Sequence, residues 1–244
     1  MARFVLVHGA FVGGWCWEPV VELLERDGHD VIALDLPGSG ADRTPVEEVT
    51  LEAYVDRVCA ELTLAGGPAI LVGHSLGGVV ITQAAAQVPE LIARLVYVAA
   101  FVPRDGQSLL DLTRLPEGAD DQVQANLVVE GAPAVGVLSD KAISRALFNC
   151  ASNRQLEWAL DRARPQALAP LGEPVMLGSR APKPAVRVYV YTLRDHAIPP
   201  ALQQRMVAES PCAHTYEIDT DHCPFISRPN SLARVLDAVA DGLA

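Results

Sequence analysis

The chain has no long hydrophobic run, no closely paired cysteines, no internal repeat and no low-complexity tract. A membrane-spanning helix needs about 18–20 apolar residues in a row, and no stretch here reaches that length without a charge or a breaker. The opening apolar run, Phe4–Val7, ends at His8-Gly9 and is too short for a signal-peptide core. A cytoplasmic protein with no membrane partner is therefore expected. The five cysteines, Cys16, Cys59, Cys150, Cys212 and Cys223, are odd in number and widely spaced. Neither a disulfide framework nor a zinc site has that pattern, so buried thiols in a reducing compartment are expected. There is no G-x-G-x-x-G and no lysine of the P-loop kind, which disfavours phosphate cradling. No metal or cofactor is implied. Positive charge is also scarce: the formal net charge is -11, and an acidic surface repels phosphate backbones, so nucleic acid is excluded as a partner. Aromatics make up 5% of the chain, yet half of its 244 residues are hydrophobic, enough for one large core or a core with an insertion.

What is present is a rhythm of short apolar runs alternating with helical patterns, the signature of a parallel sheet wrapped by helices. Strands are expected at Phe4–Val7, Val31–Leu34, Ala69–Val72, Leu95–Ala99, Val186–Thr192 and Thr215–Ile218. Helices are expected at Trp17–Asp27, Leu51–Leu64, Leu76–Gln87, about Pro200–Glu209 and about Asn230–Leu243. Between Pro103 and Pro184 no clear buried strand is visible, only helical pieces around Ser108–Thr113, Asp140–Phe148 and Arg154–Arg162. The expectation is one α/β domain over residues 1–244, with a core at 1–102 and 185–244 and a helical cap insertion at about 103–184. Pro182-Lys183-Pro184 marks the return to the core. The sheet has roughly six strands, mostly parallel, and its chemistry belongs at the carboxyl ends of those strands.

Gly73-His74-Ser75-Leu76-Gly77 is a G-x-S-x-G motif between a strand and a helix. That context puts the serine on a tight strand-to-helix turn, where flanking glycines are needed and the helix N-terminus favours developing negative charge. A serine hydroxyl needs a base. Of the six histidines, His222 sits in the loop between the last strand and the last helix, where the chain order Ser, Asp, His places it. His29 reads as an exposed turn residue, His214 as the start of a strand and His196 as a wall residue beside the acid. The orienting acid follows a strand between Ser75 and His222. Asp195 fits, with Asp219 and Asp221 as competitors. The oxyanion donors expected are the Leu76 N–H and one from the glycine-rich loop His8–Gly14.

These motifs also carry a family resemblance. His8-Gly9-Ala10 with Gly13-Gly14-Trp15-Cys16-Trp17, then Asp35-Leu36 with Ser39-Gly40, resembles the opening of the plant methylesterase and hydroxynitrile lyase family within the α/β-hydrolases. Gly73–Gly78 resembles that family's nucleophile elbow. Tyr191-Thr192 with Asp195, Ile198-Pro199 and Gln203 resembles its acid loop, and Asp221-His222 with Ser227 and Pro229 its histidine loop. The resemblance covers most of the core and is weakest from Gly106 to Pro184. It implies an α/β-hydrolase fold with a helical cap, a Ser75–Asp195–His222 triad, and oxyanion donors at the Ala10 and Leu76 N–H groups. Phe11, His74 and the cap residue Trp158 are expected to contact substrate. The lyases of the family carry a threonine where this chain has Gly9 and a lysine where it has Cys223, so the resemblance implies the esterase branch.

The function expected is hydrolysis of a small-to-medium apolar carboxylic ester through an acyl-enzyme on Ser75, by a monomer or homodimer whose partner is the small-molecule ester. A carbon–carbon lyase or decarboxylase using the same pocket, or a hydrolase-fold ligand receptor, are the alternatives.

Overall fold

Each apolar run of the core divides its side chains between two faces. Val5 and Val7 join one hydrophobic cluster with Leu71, and Phe4 and Leu6 join another with Ile70 and Val72. This is the period-2 alternation of a strand, with both faces covered. The computed structural model describes residues 1–183 and 186–242.

In the first part of the chain β1 (Arg3–Val7), α1 (Glu18–Arg26), β2 (Asp30–Leu34), α2 (Leu51–Ala65), β3 (Ala69–His74), α3 (Gly77–Gln87) and β4 (Ile92–Val98) alternate. The insertion follows, with α4 (Leu109–Thr113), α5 (Gln122–Asn126), β5 (Val128–Glu130), β6 (Val135–Val137), α6 (Asp140–Ala146), α7 (Asn153–Leu160), β7 (Gln166–Ala167) and α8 (Ala169–Gly172). The core resumes with β8 (Arg187–Thr192), α9 (Pro200–Glu209), β9 (His214–Ile218), α10 (Pro224–Ser227) and α11 (Pro229–Asp241).

The main sheet is six-stranded in the order β2-β1-β3-β4-β8-β9, and every pairing is parallel. From β1 the chain first moves outward to β2, then returns past β1 to β3. The crevice beyond the carboxyl ends of β1 and β3 is thus the topological switch point, where ligands of such sheets bind. The register aligns these ends: Val7 is level with Gly73, His74 with Val98, and Val98 with Val190. Among the described residues, three that are not glycine have positive φ, and all follow these strand ends: Phe11 (66°), Ser75 (53°) and Ala99 (43°). Strained backbone of this kind concentrates at functional sites.

The structure departs from the sequence expectation at several points. The insertion is not purely helical, because β5, β6 and β7 form a small antiparallel sheet within it. Its strands are two or three residues long, and β5 is exposed along its length, so no buried run announces them. Strand β4 starts at Ile92 rather than Leu95. His29 is not an exposed turn residue: its side chain is 9% exposed, its Nδ1 accepts the Ala2 N–H, and its Nε2 lies 3.2 Å from Asp237 on α11. Pro184 of the return motif, the core boundary at residue 185 and the final Leu243 lie outside the described residues.

Candidate active site

The elbow owes its shape to its glycines. A Cβ on Gly73 would stand 2.6 Å from the Gly77 carbonyl oxygen, and one on Gly77 would stand 2.7 Å from that of Val7. Both obstacles are backbone and cannot swing away, so only glycine fits either position. Between them Ser75 takes its left-handed conformation, held by hydrogen bonds from the Gly78 and Phe101 N–H groups to its carbonyl at 3.0 and 3.1 Å. The serine is buried but opens onto a cavity at the start of α3.

His222 and Asp195 meet from two loops that are distant in sequence. Asp195 follows β8 and His222 follows β9, and His222 Nδ1 lies 2.8 Å from Asp195 Oδ2 with both side chains buried. The carboxylate is the acceptor, so this ring nitrogen is the donor and Nε2 carries the free lone pair. Asp195 is fixed from all around. Its Oδ1 accepts the Ala197 and Ile198 N–H groups, each at 2.8 Å, while Oδ2 also accepts from Thr192 Oγ1 at 2.8 Å and Gln203 Nε2 at 3.0 Å. Ser75 and His222 line the same cavity. Among the described residues their hydroxyl and ring are not hydrogen-bonded to one another, a distance that free active sites commonly close only with substrate bound.

The competitors for the acid role are placed elsewhere. Asp219 is exposed and pairs with Arg194 at 2.9 Å. Asp221 is buried and turned away from the His222 ring. It accepts from Ser227 Oγ at 2.6 Å, from the Cys223 N–H at 3.3 Å and from the Cys150 N–H at 2.7 Å. Burial pushes its carboxyl above the ordinary range.

The loop after β1 faces the elbow. Ala10, Phe11 and Leu76 all line the cavity, and among the described residues the Ala10 and Leu76 N–H groups have no hydrogen-bond partner in the chain. Unpaired N–H groups in such a place suit an incoming oxyanion. The loop is braced by His8, whose Nδ1 donates to the Gly9 carbonyl at 2.7 Å while its Nε2 accepts the Leu36 N–H at 3.1 Å. His74 turns away from the cavity into the core. Its Nε2 donates to the His222 carbonyl at 2.8 Å, and its Nδ1 is buried without a partner. Burial, with the neighbouring His222, holds His74 well below the usual histidine range, so the ring is neutral.

The cavity and the open space at its mouth together span about 520 Å³. Its wall is mostly apolar, with Phe101, Leu109, Leu127, Leu147, Leu171 and Ile198 among its contributors. Of the three residues expected to contact substrate, only Phe11 lines it. Trp158 stands edge-on to Trp15, its ring centroid 5.0 Å away, beneath the Arg162 guanidinium. Cys223 is fully buried and burial pushes its thiol well up, so it offers no thiolate. Sequence reasoning missed Asp121, the sole acidic residue of the cavity wall. Its signal was Asp120-Asp121 ahead of Gln122, a helix N-cap, which reads as loop chemistry. No group of metal-ligating side chains is found among the described residues, and no described helix is long and apolar enough to cross a membrane.

The comparisons with known proteins agree with this fold. The family model of the alpha/beta hydrolase family matches residues 4–235. Methylesterase 7 of Arabidopsis thaliana is 31% identical, the match covering 99% of this chain and 97% of that protein. A carbendazim hydrolyzing esterase from Nocardioides sp. (strain SG-4G) is 34% identical over 98% of this chain and 100% of its own length. Longer Arabidopsis thaliana relatives bearing methylesterase names are 34% identical, and the chain spans 55% and 64% of two of them. Among solved structures, polyneuridine aldehyde esterase superposes with a TM-score of 0.88 at 25% identity, covering 98% of this chain and 99% of that one. A parallel sheet in this strand order, a serine elbow after β3 and a family match over nearly the whole chain lead to one conclusion: the chain belongs to the α/β-hydrolase family.

Proposed function

We propose that the chain is a serine esterase that cleaves a small-to-medium, largely apolar carboxylic ester through an acyl-enzyme on Ser75. The observation that carries this reading is the buried 2.8 Å contact between His222 Nδ1 and Asp195 beside the cavity that Ser75 lines. In the proposed cycle His222 Nε2 takes the Ser75 proton as Oγ attacks the ester carbonyl. Asp195 fixes the tautomer of the ring and stabilises its charged form. The Ala10 and Leu76 N–H groups receive the oxyanion. His222 returns the proton to the leaving alcohol, and water, deprotonated by the same ring, releases the acid.

Two features favour the esterase branch over carbon–carbon cleavage. A Cβ on Gly9 would stand 2.7 Å from both His74 Nδ1 and Ser75 Cβ, leaving no room here for a threonine. Cys223, buried and neutral, supplies no cation for a departing anion. The esterase and methylesterase names of the relatives support the same reaction class. Five free thiols, none in a disulfide, support the reading of a reducing, cytoplasmic location.

Initial rates on p-nitrophenyl esters of increasing acyl length, with wild type beside Ser75→Ala, test the proposal. Turnover that falls about a million-fold in the variant supports it, and the length profile sizes the pocket. Near-normal turnover in Ser75→Ala overturns it. Inert p-nitrophenyl esters, together with release of a ketone or aldehyde from a β-keto acid or a cyanohydrin, move the site to carbon–carbon cleavage.

A further inference from the structure

Asp121 stands alone as a charge in the cap's share of the cavity wall. It is 4% exposed, at the N-cap of α5, and its two oxygens are used differently. Oδ1 accepts the Val123 and Gln124 N–H groups at 2.7 and 3.0 Å. Oδ2 has no hydrogen bond among the described residues, while the side chain lines the cavity with Ser75 and His222. Among the described residues, no lysine or arginine lines that cavity to balance it. A carboxylate confined in an apolar chamber is costly unless something meets it. Helix capping accounts for one oxygen only, and a serine or an asparagine caps a helix as well as an aspartate.

Its position says which part of a substrate it would meet. The neighbouring Gln122 N–H donates to the His196 carbonyl at 2.8 Å, which ties Asp121 to the acid loop and so to the His222 side of the cavity. His222 must hand its proton to the leaving alcohol, so in the esterase reading the alcohol portion of the ester lies on that side. Burial pushes the Asp121 carboxyl up to about 6, so at pH 8 it is ionised and acts purely as an acceptor.

We propose that Asp121 is a specificity-determining residue whose free oxygen accepts a hydrogen bond from an N–H group carried on the alcohol portion of the ester. This rests on the esterase reading of the site. The substrates it selects are esters of amide- or amine-bearing alcohols.

The test uses two esters that differ only by N–H against CH₂: 2-acetamidoethyl butanoate and 4-oxopentyl butanoate, at pH 8. Wild type is expected to prefer the first by about tenfold in kcat/KM, the size of a hydrogen bond to a charged group. In Asp121→Asn the cap acceptor remains and an amide N–H replaces the free oxygen, so the preference falls to one or below. Asp121→Ser, which keeps a cap acceptor but no reach, loses it likewise. An equal rate on the two esters in wild type, or an unchanged preference in both folded variants, overturns the inference. Calorimetric binding of the same pair to Ser75→Ala, with and without Asp121→Asn, separates the two proposals. Preferential binding that depends on Asp121, without hydrolysis by wild type, sustains the role of Asp121 while the esterase reading fails. Equal binding together with hydrolysis does the reverse.

Discussion

His74 Nε2 donates to the carbonyl oxygen of His222 across 2.8 Å, joining the residue before the elbow serine to the residue that carries the base. The two rings pack with centroids 4.5 Å apart, and Phe225 meets His74 edge-on. The bond needs a proton on His74 Nε2, which a neutral ring supplies, so in the proposed mechanism His74 positions the histidine loop without entering the reaction.

His74→Ala is therefore expected to lower kcat about tenfold to a hundredfold, the cost of misplacing a catalytic group by about 1 Å, with KM changed far less. His74→Gln, which can still donate to that carbonyl, should recover part of the loss. Equal effects on kcat and KM, or no rescue by glutamine, would place His74 in substrate contact instead.

The placement of the proposed triad was more legible in the sequence than the bonds that support it. Ser75, Asp195 and His222 each follow a strand, and that rule is readable from short apolar runs alone. The brackets around them are not. Asp221 stood as a rival acid, although its adjacency to His222 makes a side-on bond to that ring awkward, and its carboxylate binds the cap at Cys150 instead. Gln203 was legible as part of the acid-loop motif, but not that its amide, in the first turn of α9, donates to Asp195 Oδ2. Trp158 was expected against substrate, but it packs on Trp15, which lies far away in the chain. The strands β5 to β7 escaped because their stability comes from pairing across the cap, and short exposed segments carry no periodic burial.

Asp221 supplies a stability prediction. Asp221→Ala leaves the Cys150 and Cys223 N–H groups short of an acceptor, while the Ser227 hydroxyl can turn to Thr220 Oγ1 or the Cys223 carbonyl. Buried groups left unsatisfied cost roughly 1–3 kcal/mol each, and with partial relaxation the total loss should be about 3 kcal/mol. Urea unfolding measures it. A loss under 0.5 kcal/mol, on the scale of an ordinary surface change, would show that the cap does not depend on this anchor.

Asp121 supplies a pH prediction. Its carboxyl is raised from 3.8 to about 6, because burial opposes the charge. Between those values the folded chain binds more proton than the unfolded one, so this group's contribution to stability falls as pH rises through the window. The shift corresponds to about 3 kcal/mol. Relative to Asp121→Asn, wild type should lose ground from pH 4 to pH 7 by up to that amount, then level off. A stability difference that is flat with pH would mean an ordinary carboxyl at this position.

Asp195→Asn is expected to keep the loop in place, since Oδ1 can still accept from Ala197 and Ile198. The amide would leave His222 with the wrong tautomer, and kcat should fall about ten-thousandfold. Circular dichroism and melting checks the fold, and steady-state rates check the loss. A fall of less than tenfold would transfer the acid role to another residue.

The central claim is a covalent bond to Ser75. Intact-mass spectrometry after exposure to diethyl p-nitrophenyl phosphate tests it directly, because the serine oxygen displaces p-nitrophenolate and keeps the diethylphosphoryl group. The account predicts one group per chain, mapped to Ser75 by peptide sequencing, lost in Ser75→Ala and much slower to form in His222→Ala. Esterase activity that survives with Ser75 unlabelled, or a label carried wholly by another residue, would contradict it.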